Sequence, residues 1–218
     1  MLFARRKSAD ETIDPLLAQY GLTPDELTPS ALIAFRALAE ERDTLQRSLE
    51  AAMALADRDT LTPTLNRRAF MRALHRTMSE AERYKTPAAV LYLDLDGFKG
   101  VNDEYGHAAG DAVLRQVGRM LVDQVRESDA VGRLGGDEFG VILNRVTADE
   151  ARAKAELLSA AINHTPVSHA GIDHRVRASI GVHLIDAVED PEVAVARADE
   201  AMYIDKRTHG VRGGFDAF

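Results

Sequence analysis

Residues 88–96 read AAVLYLDLD, an apolar run that ends in two acids, Asp94 and Asp96. Pro87 precedes the run, whose length and continuity predict a buried β-strand. Since successive side chains of a strand point to opposite faces, both carboxylates lie on one face and Leu95 lies on the other. The pattern therefore places two acids together where a buried strand ends.

Two like charges at the end of a buried strand repel each other. At about 4 Å and an effective dielectric constant near 20, a pair of unit charges costs roughly 4 kcal/mol. A divalent cation between the two carboxylates turns this repulsion into a net attraction. Mg²⁺ is commonly held by one or two carboxylates together with the phosphates of a substrate. The alternative is a pair of solvated acids, and the two aspartates by themselves do not decide between the two interpretations.

A second acidic pattern is Gly135-Gly136-Asp137-Glu138, which lies between two strand-like apolar segments and is called the glycine turn below. Paired glycines in a hairpin permit positive φ and let a ligand or another backbone come close. The two acids then project from a rigid turn beside the first strand. Glycine hairpins with acids are common, so this pattern also depends on its surroundings.

Helical and strand-like segments alternate after residue 59. The predicted strands cover residues 88–93, 130–133, 139–143 and 176–185, and the predicted helices cover residues 67–83, 111–125, 148–163 and 191–207. This alternation is typical of an α/β (α+β) two-layer sandwich built on one sheet. It predicts one domain over residues 58–218.

Residues 1–57 are predicted to form a separate helical segment, because residues 30–57 contain neither glycine nor proline. Two lines at seven-residue spacing form an apolar seam, with Phe35, Leu49 and Ala56 on one line, interrupted by Arg42, and Ala31, Leu38, Leu45 and Ala52 on the other. Such a seam favours a coiled coil between two chains. The alternative is a helix packed on its own domain.

The composition narrows the class of protein. The 218 residues are 45% hydrophobic and 28% charged, with a formal net charge of −8, so there is no global electrostatic case for binding nucleic acid. The absence of cysteine excludes disulfides and thiolate chemistry and fits a reducing compartment. No apolar run reaches the roughly 20 residues that span a bilayer. We expect a cytoplasmic protein without a transmembrane segment.

The two acidic patterns belong to a longer series of motifs. Asp94 begins DLDGFKGVNDEYGHAAGDAVL and Arg133 begins RLGGDEFGVIL; RDTLTPTLNRRAF precedes them from Arg58, and ASIGV and ADEAMYIDK follow from Ala178 and Ala198. In this order and spacing, the series resembles the GGDEF family of diguanylate cyclases over nearly all of residues 58–207. Several ordered motifs at matching spacing are far more specific than any one of them.

The resemblance implies a nucleotidyl-cyclase palm domain with a ferredoxin-like core, preceded by a helical stalk. It implies the condensation of two GTP molecules into cyclic di-GMP, with release of pyrophosphate. One such domain binds one GTP, so two domains must face each other, which implies a homodimer held through the N-terminal helix.

The resemblance also implies roles for single residues. Asp94, Asp137 and the backbone carbonyl of Leu95 would bind Mg²⁺, with Mn²⁺ as an alternative, and Asp137 or Glu138 would accept the proton of the attacking 3′-hydroxyl. The remaining substrate contacts are Asn102 and Asp111 for the guanine edge, and Gly97, Phe98, Lys99 and Lys206 for the phosphates. The match further implies an inhibitory product site at Arg126 and Asp129. The sequence does not place the partner residues of this site, for which Arg152 and Lys154 are candidates.

The sequence departs from the family pattern in three places. Leu134 replaces an aromatic residue, and Pro63-Thr64 replaces Gly-Leu. After Lys206 the expected Gly-Arg-Asn is missing, so Arg207 or Arg212 would have to supply the arginine. Two other functions stay open: a non-catalytic receptor for GTP or cyclic di-GMP that signals through its N-terminal helix, and a scaffold whose N-terminal segment docks a protein partner.

Overall fold

The computed structural model describes residues 17, 18 and 21–210, with backbone alone at positions 50–52, 54, 55, 205 and 207–210. The chain divides into two compact units, one that ends at Ala56 and one that begins at Asp57. The unit boundary lies one residue before the boundary expected from the sequence.

The first unit contains one long helix. A short 3₁₀ helix, Pro24–Glu26, precedes α1, Pro29–Ala56. Three leucines of the predicted seam are exposed on α1, with fractional exposures of 63% for Leu38, 63% for Leu45 and 56% for Leu49. None of the helices in the described part of the chain is long and apolar enough to cross a membrane.

The second unit contains five further helices and seven strands within the described residues. In chain order these are β1 Leu65–Asn66, α2 Arg67–Tyr84, β2 Ala88–Asp96, α3 Phe98–Tyr105, α4 His107–Asp123, β3 Ala130–Arg133, β4 Glu138–Asn144, α5 Ala148–His164, β5 Val167–His169, β6 Ile172–His174, β7 Arg177–Ile185 and α6 Pro191–Gly210. The strands and helices alternate as the sequence predicts.

The main sheet has the strand order β1-β3-β4-β2-β7. Strand β2 is an interior strand that runs antiparallel to both β4 and β7, and β3 runs antiparallel to β4. The succession β2, α3–α4, β3, β4, α5, β7 is the βαββαβ arrangement of ferredoxin-like folds. Because helices cover both faces of the sheet at β2, its sequence is apolar on both faces.

The two faces of β2 enter two different hydrophobic clusters. Leu91, Leu93 and Leu95 pack in the cluster that contains residues of α4 and α5. Val90 and Tyr92 pack in the cluster that contains residues of α2 and α6. The ferredoxin-like core with α4 and α5 is the expected sandwich, and α2 and α6 cover the opposite face, to which the alternation of β2 also assigns Asp94.

A row of three glycines and one tyrosine crosses that second face of the sheet. Gly132, Gly140, Tyr92 and Gly181 are register partners on the neighbouring strands β3, β4, β2 and β7. A Cβ atom on Gly140 would lie 2.5 Å from the ring of Phe70 of α2, and one on Gly181 would meet the α6 backbone. The glycines therefore let both helices pack directly on the strand backbones.

Candidate functional site

The carboxyl end of β2 lies directly beside the glycine turn. Asp94 is the register partner of Glu138 on β4 and of Ser179 on β7. Strand β4 begins at Glu138, so β2 extends beyond it by two residues, Leu95 and Asp96. The acids that the sequence placed in separate motifs are therefore neighbours across one pair of strands.

The backbone of Leu95 faces the side of the glycine turn. Its partner on β7, Ala178, donates its N–H to Asn163 Oδ1 at 2.9 Å and accepts the Ser159 hydroxyl at 3.0 Å. Because both polar groups of Ala178 are bonded to α5, this is a non-hydrogen-bonded pair, and the polar groups of Leu95 point to the opposite side. That side is the one where β4 has ended and Asp137 follows.

The carboxylates of the site repel one another. Burial raises the pKa of Asp137, and the charges of Asp94 and Glu138 raise it further. Burial likewise raises the pKa of Tyr92, whose hydroxyl is hydrogen-bonded to Glu138. Asp137 thus lies within electrostatic reach of both other acids, in the partly buried surroundings that strengthen such repulsion.

Lys206 of α6 supplies the positive charge that balances this end of β2. Its Nζ lies 2.7 Å from Asp94 Oδ1 and 2.5 Å from Asp96 Oδ1. Partial burial alone would lower the pKa of Lys206, but hydrogen bonds to the two aspartates outweigh it and raise that pKa. Asp96 also accepts the Ser179 hydroxyl at 2.6 Å, so it is held by two donors.

Asp199 is a fifth acid of the site, and sequence reasoning missed it. Burial raises its pKa, and so do the charges of Glu138 and Asp94. The signal that could have revealed it is helical spacing: Asp199 precedes Lys206 by seven residues, which is two turns on one face of α6. Tyr92 was also missed, because its place in an apolar run suggests only a core residue.

The residues at this end of β2 fit a hard divalent cation. Lys206 already bridges two carboxylates as a stand-in cation, and burial together with the charges of Asp94 and Glu138 raises the pKa of Asp137. Within the described residues no three His, Asp or Glu side chains are placed to hold a metal ion by themselves. Mg²⁺ is commonly held by one or two carboxylates together with the phosphates of a substrate, and the acids at this position can supply those carboxylates.

The two residues expected at the guanine edge lie side by side on neighbouring helices. A Cβ atom on Gly110 of α4 would collide with Asn102 Oδ1 of α3. The glycine therefore makes room for the Asn102 side chain next to Asp111, the following residue of α4. Asn102 and Asp111 are both partly exposed, so a ligand can reach them.

The residues expected to bind the phosphates begin with Gly97, directly after β2. Gly97 has φ of 79° and precedes α3, so a left-handed residue makes the sharp turn from strand to helix. Phe98 is buried, with 8% exposure, and anchors the turn in the core, whereas Lys99 is exposed. Along the chain, this turn connects Asp96 of the acidic site to the helix that carries Asn102.

The glycine turn is held from two sides. A Cβ atom on Gly135 would collide with the carboxylate of Glu138, which folds back over the turn. Arg133 donates to the Gly136 carbonyl from Nε at 3.1 Å and from Nη2 at 2.7 Å. Its Nη1 lies 3.3 Å from Asp59 Oδ1, which also accepts the Thr62 N–H at 2.9 Å. The turn is therefore tied to the first residues of the second unit.

Comparison with known proteins identifies the family. Residues 56–212 match the family described as "Diguanylate cyclase, GGDEF domain". The chain belongs to this family. The family and the fold predicted from the sequence are both confirmed.

Individual proteins are similar to this GGDEF domain in sequence and in structure. "Diguanylate cyclase DosC" of Escherichia coli is 40% identical over 150 residues, which is 68% of this chain and 33% of DosC. The solved coiled coil and GGDEF domain of DgcB from Caulobacter crescentus, in complex with c-di-GMP, has a TM-score of 0.71 at 28% identity and covers 81% of this chain and 94% of that one. SiaD of Pseudomonas aeruginosa, solved with its activator SiaC, has a TM-score of 0.70 at 28% identity, over 91% and 78% of the two chains. The chain spans only a third of the length of DosC.

The two residues expected at a product site lie at the other end of β4 from the glycine turn. Asp129 accepts the Asn144 N–H at 3.0 Å with one oxygen and the Arg126 N–H at 3.1 Å with the other. Asp129 thus closes the loop before β3, while the Arg126 side chain is exposed. In this GGDEF domain the pair is separate from the acids around Asp94.

The departures from the family pattern lie either at positions that contribute to packing or outside the described residues. Leu134 is buried, with 6% exposure, and Thr64 is fully buried, so both positions contribute to packing. The Arg207 side chain and Arg212 lie outside the described residues. The arginine that would replace the one in the missing Gly-Arg-Asn motif is therefore not assigned.

Proposed function

We propose that this chain is a diguanylate cyclase, which condenses two GTP molecules into cyclic di-GMP and releases pyrophosphate. The observation that carries the proposal is the register of Asp94 with Glu138, which places three acids and Lys206 around one end of β2. The relatives named diguanylate cyclases support it, although the chain spans a third of DosC. Both acids of the glycine turn are present. A degenerate domain that only binds a nucleotide would lack at least one of them.

Asn102 and Asp111 bind the guanine edge in this proposal. A carboxylate accepts hydrogen bonds from the N1–H and N2–H₂ donors of guanine, and adenine lacks that donor pair. Their adjacency across α3 and α4 supports a common ligand. The turn at Gly97, Phe98 and Lys99 then binds the phosphates through its backbone N–H groups, together with Lys206.

Asp94, Asp137 and the Leu95 carbonyl would hold Mg²⁺, with Mn²⁺ as an alternative. The bound metal would supply charge neutralisation for the phosphates and for the leaving pyrophosphate. The direction of the Leu95 backbone supports its inclusion among the ligands. Lys206 must release Asp94 as the site fills, and its ammonium group can then pair with phosphate.

The proton of the attacking 3′-hydroxyl goes to Asp137 or Glu138. A raised pKa makes the Asp137 carboxylate a stronger proton acceptor than an ordinary aspartate. Glu138 is fixed by the Tyr92 hydroxyl and by its position over Gly135. The pH dependence of the Asp137→Asn and Glu138→Gln variants, measured for any residual activity, separates the two assignments.

The active state is a homodimer paired through α1. Each domain has one nucleotide site, and the product requires two attacks between two nucleotides, so two sites must be held face to face. The exposed leucines on α1 support pairing, since long apolar side chains at heptad spacing are stabilised by a partner helix. DgcB was solved as a coiled coil together with its GGDEF domain.

We also propose that cyclic di-GMP inhibits the enzyme at a site that includes Arg126 and Asp129. The Arg126 guanidinium is exposed and suits a phosphate or a guanine face. Asp129 is held by two backbone N–H groups, and each carboxylate oxygen keeps a further lone pair for a guanine donor.

The decisive experiment is incubation of the full chain with GTP and Mg²⁺, followed by chromatographic detection of cyclic di-GMP. We expect product from the wild type, almost none from Asp137→Asn, and wild-type amounts from Asp123→Asn, which changes an exposed acid at the end of α4. A wild-type chain that binds GTP and forms no product would instead be a receptor. Product from Asp137→Asn at the wild-type rate would contradict the assigned site.

A further inference from the structure

Arg177 is the first residue of β7, at the end of that strand that lies beside the acids. It is the register partner of Asp96, the last residue of β2, just as Ser179 is the partner of Asp94. Paired residues share a face of the sheet, and so do residues two apart on one strand, so the Arg177 side chain starts on the face that carries both aspartates. Arg177 is exposed and β7 is an edge strand, so a ligand can reach it.

Asp96 does not use the guanidinium group of Arg177. Opposite charges that face each other across antiparallel strands stabilise the pair, so an ion pair between the two would be ordinary. Asp96 is instead held by the Lys206 ammonium group at 2.5 Å and by the Ser179 hydroxyl at 2.6 Å. Arg177 forms no ion pair or hydrogen bond with any residue that the structure describes. Its planar fork of donors is therefore available to a ligand.

Arg177 and Lys206 approach the end of β2 from two different elements. Lys206 comes from α6, and its ammonium group bridges the two aspartates. Arg177 comes from β7, where its Cβ atom starts about 4.5–5.5 Å from that of the opposing aspartate, and its longer side chain can extend past that residue. The chain continues from Asp96 directly into the turn at Gly97. Two cations therefore flank the point where the proposed phosphate-binding turn begins.

The charge balance at this end of β2 favours a phosphate ligand for Arg177. Lys206 is the cation that contacts the aspartates, and it carries a single positive charge. A nucleoside triphosphate brings several further negative charges to a site that is already acidic. A guanidinium group stays charged at physiological pH and presents two parallel N–H donors, which match the unshared oxygens of a terminal phosphate.

We infer that Arg177 binds the terminal phosphate of the nucleotide, beside Lys206 and the backbone of the Gly97 turn. The inference rests on the proposed function, which places GTP at this turn, and it adds a substrate-binding residue from β7. Arg177 thereby takes the part that the sequence left to Arg207 or Arg212. A contact to the terminal phosphate also distinguishes a triphosphate from a diphosphate.

The test is calorimetric titration of the full chain with 3′-deoxy-GTP and Mg²⁺, because a nucleotide without the attacking hydroxyl binds but cannot react. We expect Arg177→Ala to weaken this binding about tenfold, the size typical of a lost hydrogen bond between charged groups. The affinity for 3′-deoxy-GDP should be unchanged in the variant, because this probe lacks the terminal phosphate. Arg177→Lys should lose less affinity than Arg177→Ala, since lysine keeps the charge but not the planar fork.

Arg119→Ala is the matched control, since this exposed arginine of α4 hydrogen-bonds to Gln116 on the other side of the sheet. Thermal unfolding verifies that each variant folds. Wild-type affinity of Arg177→Ala for 3′-deoxy-GTP would overturn the inference. An equal loss for 3′-deoxy-GTP and 3′-deoxy-GDP would also overturn it, because the charge would then act without contact to the terminal phosphate. A tenfold loss in Arg207→Ala or Arg212→Ala, with none in Arg177→Ala, would assign the contact to the chain after Lys206.

The same titrations separate this inference from the proposed activity. A wild-type chain that makes cyclic di-GMP, together with wild-type affinity in Arg177→Ala, would refute the inference and leave the cyclase proposal intact. A chain that binds 3′-deoxy-GTP through Arg177 and makes no product from GTP would refute the cyclase proposal and leave the inference intact. A wild-type chain that binds neither nucleotide would overturn both.

Discussion

At the scale of single residues, Lys206 contacts Asp94, where the proposed metal ion would bind. Its ammonium group lies 2.7 Å from Asp94 Oδ1, so a cation that binds Asp94 must displace it. We therefore expect Lys206→Met to bind Mn²⁺ severalfold more tightly in the absence of nucleotide, yet to bind GTP with Mg²⁺ more weakly, because a phosphate contact is lost. Electron paramagnetic resonance of free Mn²⁺ measures the first effect. Lys99→Met, which changes an exposed lysine, is the control, and unchanged Mn²⁺ affinity in Lys206→Met would contradict the competition.

Asp137 gives a second residue-scale prediction, in which its ionised carboxylate destabilises the domain in the absence of metal and nucleotide. Burial and the charges of Asp94 and Glu138 raise its pKa on folding, so the folded state favours the protonated form and ionisation above that pKa opposes folding. Asp137→Asn imitates the neutral form and should melt a few degrees higher than the wild type at pH 7, without metal or nucleotide. The difference should close as the pH falls through the raised pKa of Asp137. Calorimetry that shows a lower melting temperature for the variant at pH 7 would refute the repulsion.

At the scale of elements, glycines bring α6 to the site, which gives a prediction for Gly181. A Cβ atom there would meet the Ala198 carbonyl and lie 2.8 Å from the Met202 Cα, and helix backbone cannot yield as a flexible side chain can. Gly181→Ala should cost about 1–3 kcal/mol of stability through overpacking. It should also lower the turnover rate, because Lys206 and Asp199 lie on the displaced helix. Gly100→Ala, where no atom lies within 4 Å, is the stability control, and equal stability of Gly181→Ala and the wild type would contradict this packing.

The elements also show what the sequence could predict. Helices α2 and α5 were predicted to within one residue, because each has an apolar pattern and a clear start, such as the Thr147–Glu150 capping box. Strand β2 begins where the sequence predicts but continues three residues past the predicted end, through the two acids. Helix α3 was missed, since its eight residues between Gly97 and Gly106 are too short for a periodic signal. Helix α4 begins at His107, four residues before the predicted start.

The candidate site was predictable only in part for a related reason. Motifs near each other in sequence, such as Asp94 and the Gly97 turn, can be assigned from spacing. Asp94, Glu138 and Lys206 are far apart in sequence, and only the pairing of β2 with β4 and the packing of α6 bring them together. Asp199 of α6 emerges as a member of the site from the tertiary structure alone.

At the scale of the whole molecule, the glycine turn is connected to the segment that follows α1. Asp59, two residues after the second unit begins, contacts Arg133, which in turn binds the carbonyl of Gly136 in the glycine turn. A change in the segment that follows α1 can therefore reach the acids through hydrogen-bonded groups. The proposed product site at Arg126 and Asp129 lies at the opposite end of β4 from the turn, so product and a signal from that segment would act on one strand from its two ends.

Pairing through α1 gives the last prediction, because two half-sites must meet before any product forms. Leu38→Glu combined with Leu45→Glu places charges on the exposed seam, so the full chain should sediment as a monomer at micromolar concentration and lose most of its activity per site at nanomolar concentration. Deletion of residues 1–57 should have the same effect on activity. Arg47→Glu is the control, since it changes the charge of α1 on the helix face opposite the seam. A monomeric double variant with wild-type activity per site at nanomolar enzyme would show that α1 does not align the two nucleotides, and the role of the stalk would have to be abandoned.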